Sequence, residues 1–225
     1  MIRIQKLSKN YGSKQVLCNI DFTFETGKCY GIVGDNGAGK STLFNCISCM
    51  EDFEGSIQSD YKLLKNEIAY LQAEPFFFSK MTGREYLQLV CNAKKIKNID
   101  LDVKNIFDLP LDEYVEYYST GMKKKLAINS VIIQGTEVYI LDEPFNGLDI
   151  QSSMVISEVI HYLKSQGKTI LISSHIFSTL TESCDEIILL SNARFDEVYT
   201  SVDFHLLETK LRSKTRESVL KRLTK

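Results

Sequence analysis

No apolar run in this 225-residue chain reaches the roughly 18–20 residues that a membrane-spanning helix needs. The opening residues, MIRIQKLSKNYG, alternate like a strand and lack the apolar core of a signal peptide. These two absences together lead us to expect a cytosolic chain. Charge of one sign is lacking too: the formal net charge is -2 at pH 7, and nothing in that balance points to nucleic acid. There are only three prolines, no low-complexity tract and no internal repeat. Six cysteines, Cys18, Cys29, Cys46, Cys49, Cys91 and Cys184, are scattered, mostly inside apolar stretches. Cys46-x-x-Cys49 has the spacing of metal ligands, but a second pair or a histidine in register is missing, so buried thiols are expected rather than zinc. What is present is apolar bulk: 44% of the residues are hydrophobic, enough to bury a sizeable core and to exclude a disordered chain. The length suits one domain with insertions, or two small lobes.

The first 26 residues read as strands, because IRIQKL and VLCNIDFTFE alternate apolar and polar positions. Later runs do not alternate: CYGIV (29–33), VYIL (138–141), TILIS (169–173) and EIILL (186–190). Such runs suit strands buried on both faces, as in a parallel sheet. Between them lie helical patterns. Val155, Ile156, Val159, Ile160 and Leu163 share one helical face, and Gly167 is placed to end that helix. The result is a βαβ alternation with right-handed crossovers, an α/β fold. From about 76 to 128 charged helical segments replace buried strands, with capping-box spacing over Thr82-Gly83-Arg84-Glu85. We read that stretch as an inserted α-helical subdomain within a core lobe of about 1–75 and 129–203, followed by a basic, weakly amphipathic tail over about 204–225. A frayed, solvated helix is expected for the tail.

Directly after CYGIV comes Gly34-Asp35-Asn36-Gly37-Ala38-Gly39-Lys40-Ser41-Thr42, a P-loop pattern. Its glycines permit a tight loop whose backbone N–H groups turn inward around phosphate oxygens. A helix starting near Gly39 would present its positive end to the same anion. Lys40 adds a point charge for the β- and γ-phosphates, and the Ser41 hydroxyl is a hard oxygen ligand suited to Mg²⁺. A second anchor is VYILDEP, where a buried strand ends in two carboxylates. Asp142 can hold the Mg²⁺ shell through water, and Glu143 can polarise a water that attacks the γ-phosphate. Capping of the next helix is the plainer role for such acids.

Taken together and in order, these motifs resemble the ATP-binding cassette family of ATPases over about residues 2–200. YSTGMKKKL resembles the family's signature motif at Ser119 and Gly121, but Thr120 stands where a glycine is commonest and Met122 where a glutamine is. The S-x-G-M-K variant is at home in exporter-like cassettes. The resemblance implies a P-loop NTPase core with a mainly parallel sheet, an N-terminal antiparallel β subdomain, and ATP and Mg²⁺ as cofactors. It implies that Tyr11 stacks on adenine and that Gln72 touches Mg²⁺ and contacts a membrane partner. Asn146-Gly147-Leu148-Asp149 would cross to a second subunit, and His175 would contact the γ-phosphate. His161 and His205 are expected to be ordinary surface residues.

Within one chain the signature turn and the P-loop are expected on different lobes. If two copies pack head to tail, Ser119, Thr120, Gly121 and Met122 of one would face the triphosphate bound by the other. Lys123, Lys124 and Lys125 sit in the first turn of the helix, the unfavourable end for cations. Either the nucleotide's charge offsets them, or they are solvated. The expected function is an ATP-hydrolysing subunit of a transporter, a homodimer or heterodimer of cassettes. It would be held on the inner face of the cell membrane by an integral membrane subunit, with Glu143, His175 and Lys40 catalytic. A soluble cassette of the iron–sulfur assembly type is the alternative.

Overall fold

The computed structural model describes residues 1–223; Thr224 and Lys225, the end of the basic tail, lie outside the described residues. The chain opens with β1 (Ile2–Tyr11) and β2 (Lys14–Phe24), an antiparallel hairpin. Ile2 and Ile4 point inward while Arg3 and Gln5 point to solvent, the period-two pattern of a half-buried strand. Then β3 (Cys29–Val33) runs through the 34–39 loop into α1 (Lys40–Ile47). β4 (Glu54–Ser59) returns to the free edge of β1 and completes a three-stranded antiparallel sheet in the order β2-β1-β4.

The second sheet, to which β3 belongs, continues along the chain with β5 (Ile68–Leu71) and resumes, after α2 (Gly83–Ala93) and α3 (Thr120–Ile132), with β6 (Val138–Asp142). It continues through α4 (Ile150–Ser165), β7 (Thr169–Ser173), α5 (Phe177–Ser183), β8 (Glu186–Ser191) and β9 (Arg194–Thr200), and the chain closes with α6 (Phe204–Leu223). Its order is β5-β6-β7-β3-β8-β9, with β9 antiparallel to β8 and the rest parallel. Every residue of β3, β6 and β7 is buried. Both faces are covered. Tyr139, Leu141, Ile170 and Ile172 pack toward α3, α4 and α5, while Val138, Ile140, Leu171 and Ile32 pack toward α1 and the small sheet. Because β3, β6 and β7 run parallel, the loops at their carboxyl ends emerge side by side, where ligands bind in open α/β sheets.

The inserted stretch is helical in two parts, α2 and α3, and its middle differs from the expectation. Residues 94–114 are turns and bends with no helix. They are nevertheless packed: Leu101, Leu109 and Leu111 form a third core with Leu87, Cys91, Val115, Tyr118 and Leu126. The C-terminal segment also departs from a merely frayed helix. Phe204 and Leu207 are buried against the main core, Leu211 packs beside them, and Lys210 pairs with Glu197 at 2.8 Å. The i, i+3, i+7 spacing of these apolar residues gives α6 a docking stripe in its first two turns.

Candidate nucleotide site

The loop after β3 is bent by glycines for steric reasons. A Cβ on Gly34 would sit 2.4 Å from the Leu190 carbonyl oxygen, and Gly39, with φ 108°, starts α1 from the left-handed region. Gly39 offers no side-chain cap, so the first N–H groups of α1 keep no side-chain acceptor from it at the positive end of the helix dipole. Lys40 is buried, and its ammonium donates to the Gly34 carbonyl at 2.8 Å and to that of Asp35 at 3.4 Å. Burial lowers its pKa, partly offset by the charges of Glu143, Asp142 and Asp35.

At the end of β6 a hydrogen-bonded chain crosses from loop to sheet. The Ser41 hydroxyl donates to Asp142 Oδ2 at 2.5 Å, and the Ser173 hydroxyl donates to Asp142 Oδ1 at 2.5 Å. Ser173 Oγ also accepts the backbone N–H of Glu143 at 3.0 Å. Glu143 itself has φ 50°, a left-handed conformation that turns its side chain away from the strand direction. Its Oε2 accepts the His175 backbone N–H at 3.2 Å, while Oε1 lies 3.0 Å from His175 Nε2 yet receives no well-directed hydrogen bond. A buried carboxylate oxygen without a directed donor is costly, and it is available to orient a water.

Tyr11, Asn36, Gly37, Gly39, Lys40, Ser41, Thr42, Asp142, Glu143 and His175 line one cleft of ≈ 670 Å³, together with Lys14, Val16, Ala73 and Asn146. Gly34, Asp35 and Ala38 lie on the far side of the same loop. Tyr11 stands half-exposed at the mouth, its hydroxyl donating to Glu51, with Lys9 Nζ 5.2 Å from the ring centroid and 3.3 Å from Glu51. The Tyr11 hydrogen bond, more than Asn45 or Lys9, holds the Glu51 carboxyl below its usual range.

Other residues singled out in the sequence lie elsewhere. Gln72 lines a separate groove, its amide 3.7 Å from the Met50 sulfur, and only its neighbour Ala73 reaches the cleft. Ser119, Thr120, Gly121 and Met122 form the start of α3 and do not line the cleft; Ser119 caps that helix, accepting the Met122 N–H at 3.2 Å. Asp149 caps α4 through the Ser152 N–H at 2.8 Å. His161 and His205 are exposed. The expectation for the lysines needs correcting at Lys124, which is neither solvated nor directed at an outside anion. Its Nζ is buried against the carbonyls of Ala73, Gln72 and Asp142, and its pKa is lowered to about 8 by that burial. Lys125 pairs with Asp149 at 3.1 Å.

Sequence reasoning missed Ser173 and the Lys9–Glu51 pair. A small polar residue closing an otherwise apolar strand, two positions before His175, was the available signal for Ser173. Nothing local marks Glu51, which meets Tyr11 across 40 residues of chain.

Residues 17–146 match the family model described as ABC transporter. The chain belongs to the ABC transporter family. It is 32% identical over 201 residues to the lantibiotic transport ATP-binding protein SrtF of Streptococcus pyogenes, covering 83% of this chain and 85% of that protein. It is also 32% identical over 210 residues to the ABC transporter ATP-binding protein NatA of Bacillus subtilis, covering 84% and 85%. A solved ATP-binding subunit of an ABC transporter superposes with a TM-score of 0.80 at 27% identity, covering 100% of both chains. A dimeric structure of the bacterial ABC transporter cassette MJ0796 has a TM-score of 0.81 at 20% identity, a likeness of fold alone. This ABC protein is thus an ATP-binding and ATP-hydrolysing subunit of a transporter, an ATPase whose cassette fold is the one expected from its motifs.

Proposed function

We propose that two cassettes, identical or paired with a similar chain, close head to tail around two ATP molecules and drive a membrane subunit that exports its cargo. The observation that carries the catalytic part is the Ser41–Asp142–Ser173–Glu143 chain, which ties the phosphate loop to the carboxylate pair. In this reading the N–H groups of residues 34–42 cradle the phosphates, and Lys40 exchanges the Gly34 and Asp35 carbonyls for phosphate oxygens. Tyr11 offers its ring to adenine, backed by Lys9 and Glu51. Glu143 orients water through Oε1, and His175, already against that carboxylate, registers the γ-phosphate. The turn 119–122, outside the cleft of its own chain, would close the partner's cleft with the positive end of α3.

Mg²⁺ fits the donor set. Among the described residues no cluster of three or more His, Cys, Asp or Glu could cage a metal alone. Mg²⁺ keeps waters and substrate phosphates and asks for only one or two protein oxygens, which Ser41 and Asp142 supply and to which Gln72 could swing. When bound, it neutralises charge on the β- and γ-oxygens.

Transport is supported by the SrtF relative, and export by the Ser119-x-Gly121-Met122-Lys123 variant. No helix among the described residues is long and apolar enough to cross a membrane. From the transport ATP-binding relative we assign the subunit to the cytoplasmic face, attached through a membrane partner. We further assign the core lobe to about 1–75 and 129–203, and the inserted subdomain to about 76–128. Docking is assigned to the groove at Gln72 and Phe76. An iron–sulfur assembly role finds no support among these relatives.

Glu143→Gln tests the reading. The variant should bind ATP normally, lose about 10²–10⁴ in turnover and accumulate as an ATP-bound dimer in light scattering. Unchanged turnover would remove Glu143 from the role.

A further inference from the structure

Three lysines open α3, and one of them is out of place. Lys124 is 5% exposed. Its Nζ lies 3.1 Å from the Ala73 carbonyl oxygen, 3.5 Å from that of Gln72 and 3.4 Å from that of Asp142. Among the described residues no carboxylate comes within ion-pair distance of it. Burying an ammonium is costly; the charges of Asp142 and Glu143 offset part of that cost, and its hydrogen bonds go to neutral main-chain carbonyls.

What the ammonium does is join three segments. Its own helix begins with the 119–122 turn. The 72–73 carbonyls belong to the bend that leaves β5 and carries Ala73 into the cleft. The Asp142 carbonyl belongs to the peptide that leads into Glu143, whose left-handed backbone sets the direction of its carboxylate. All three acceptors are main-chain atoms, so Lys124 fixes backbone positions. A side chain that fills the space without donating would leave these segments packed but unregistered.

We propose that Lys124 is a positioning residue for ATP hydrolysis: by donating to the Gln72, Ala73 and Asp142 carbonyls it locks the α3 start, the 72–73 bend and the Glu143 backbone into one unit. This rests on the assignment of Glu143 above. Misplacing a catalytic group by about 1 Å can cost 10²-fold in rate without loss of binding.

The test uses the full chain in three variants. Lys124→Met keeps the length and removes the donor; Lys124→Gln restores a neutral donor; Glu143→Gln is the reference. ATP affinity, kcat, KM and thermal unfolding are measured for each. Lys124→Met is expected to hold ATP Kd and KM within about twofold while kcat falls tenfold or more, the order set by a misplaced catalytic group. Lys124→Gln is expected to recover part of kcat at the same KM. If Lys124→Met does not fold, the Lys124→Gln comparison with wild type carries the test on kcat alone. A folded Lys124→Met with kcat within twofold of wild type overturns the proposal. So does a loss of kcat and ATP binding in parallel with the folded fraction. If Glu143→Gln itself retains turnover, the reading of the site has failed instead.

Discussion

Individual side chains show how burial decides chemistry. Cys46 and Cys49 are three residues apart, yet Cys46 sits in the core beside Leu43 and Ile47 while Cys49 is exposed. Burial pushes the Cys46 thiol up to about 11, so at neutral pH nearly all of it is protonated, and the thiolate is the reactive form. Alkylation of the native protein at pH 7.5, read by peptide mass spectrometry, should therefore label Cys49 and spare Cys46, with Cys46 labelled once the protein is unfolded. Fast labelling of both in the native state would mean that the end of α1 opens. The residues in and behind the cleft divide in the same way between legible and hidden. Lys40, Ser41, Asp142 and Glu143 could be read because each stands at a fixed offset from an apolar strand, and His175 only through the family resemblance. Lys124 could not: three consecutive lysines look alike in sequence, and which one turns inward depends on the helix phase and on where the 72–73 bend passes.

Elements held by local chemistry were the easiest to foresee. The start of α2 is a complete capping box: the Thr82 hydroxyl accepts the Glu85 N–H at 3.2 Å, and the Glu85 carboxylate accepts the Thr82 N–H at 2.8 Å. Thr82→Ala should lower the unfolding free energy by about 1 kcal/mol, seen as a smaller urea midpoint, with ATP affinity unchanged because α2 does not line the cleft. An equal loss of ATP affinity would show that the inserted segment and the core do not fold separately. Strands β3, β6 and β7 were equally plain, since an apolar run buried on both faces leaves little else to be. The 94–114 segment was not. Its order comes from Leu101, Leu109 and Leu111 meeting α2 and α3, and from Asn105 donating to the Leu109 carbonyl at 2.8 Å. Such contacts leave no periodic trace. The C-terminal helix was misjudged for a related reason: its basic residues dominate the composition, while a short stripe of Phe204, Leu207 and Leu211 does the docking.

For the molecule as a whole, the question is how a subunit with no membrane-crossing helix among its described residues passes motion onward. Phe76, Phe77 and Phe78 alternate in burial, with Phe77 half-buried between two exposed neighbours. Phe77 turns inward onto Tyr86, with ring centroids 4.8 Å apart. Phe76 and Phe78, 70% and 51% exposed, meet edge to face at 5.2 Å on the outside. Phe76 also lines the groove that holds Gln72. Two exposed aromatics cost little to remove, because substitutions of surface residues usually shift stability by less than about 0.5 kcal/mol. A Phe76→Ser/Phe78→Ser double variant should therefore keep the unfolding midpoint and ATPase rate of the isolated chain. In its own cells, the fraction that sediments with membranes should fall several-fold if the docking surface proposed above is the one used. If that fraction does not change, the docking surface lies elsewhere. If the isolated ATPase falls with it, the pair supports the 72–73 bend from within, and the motion would reach the cleft along the same three carbonyls that Lys124 holds.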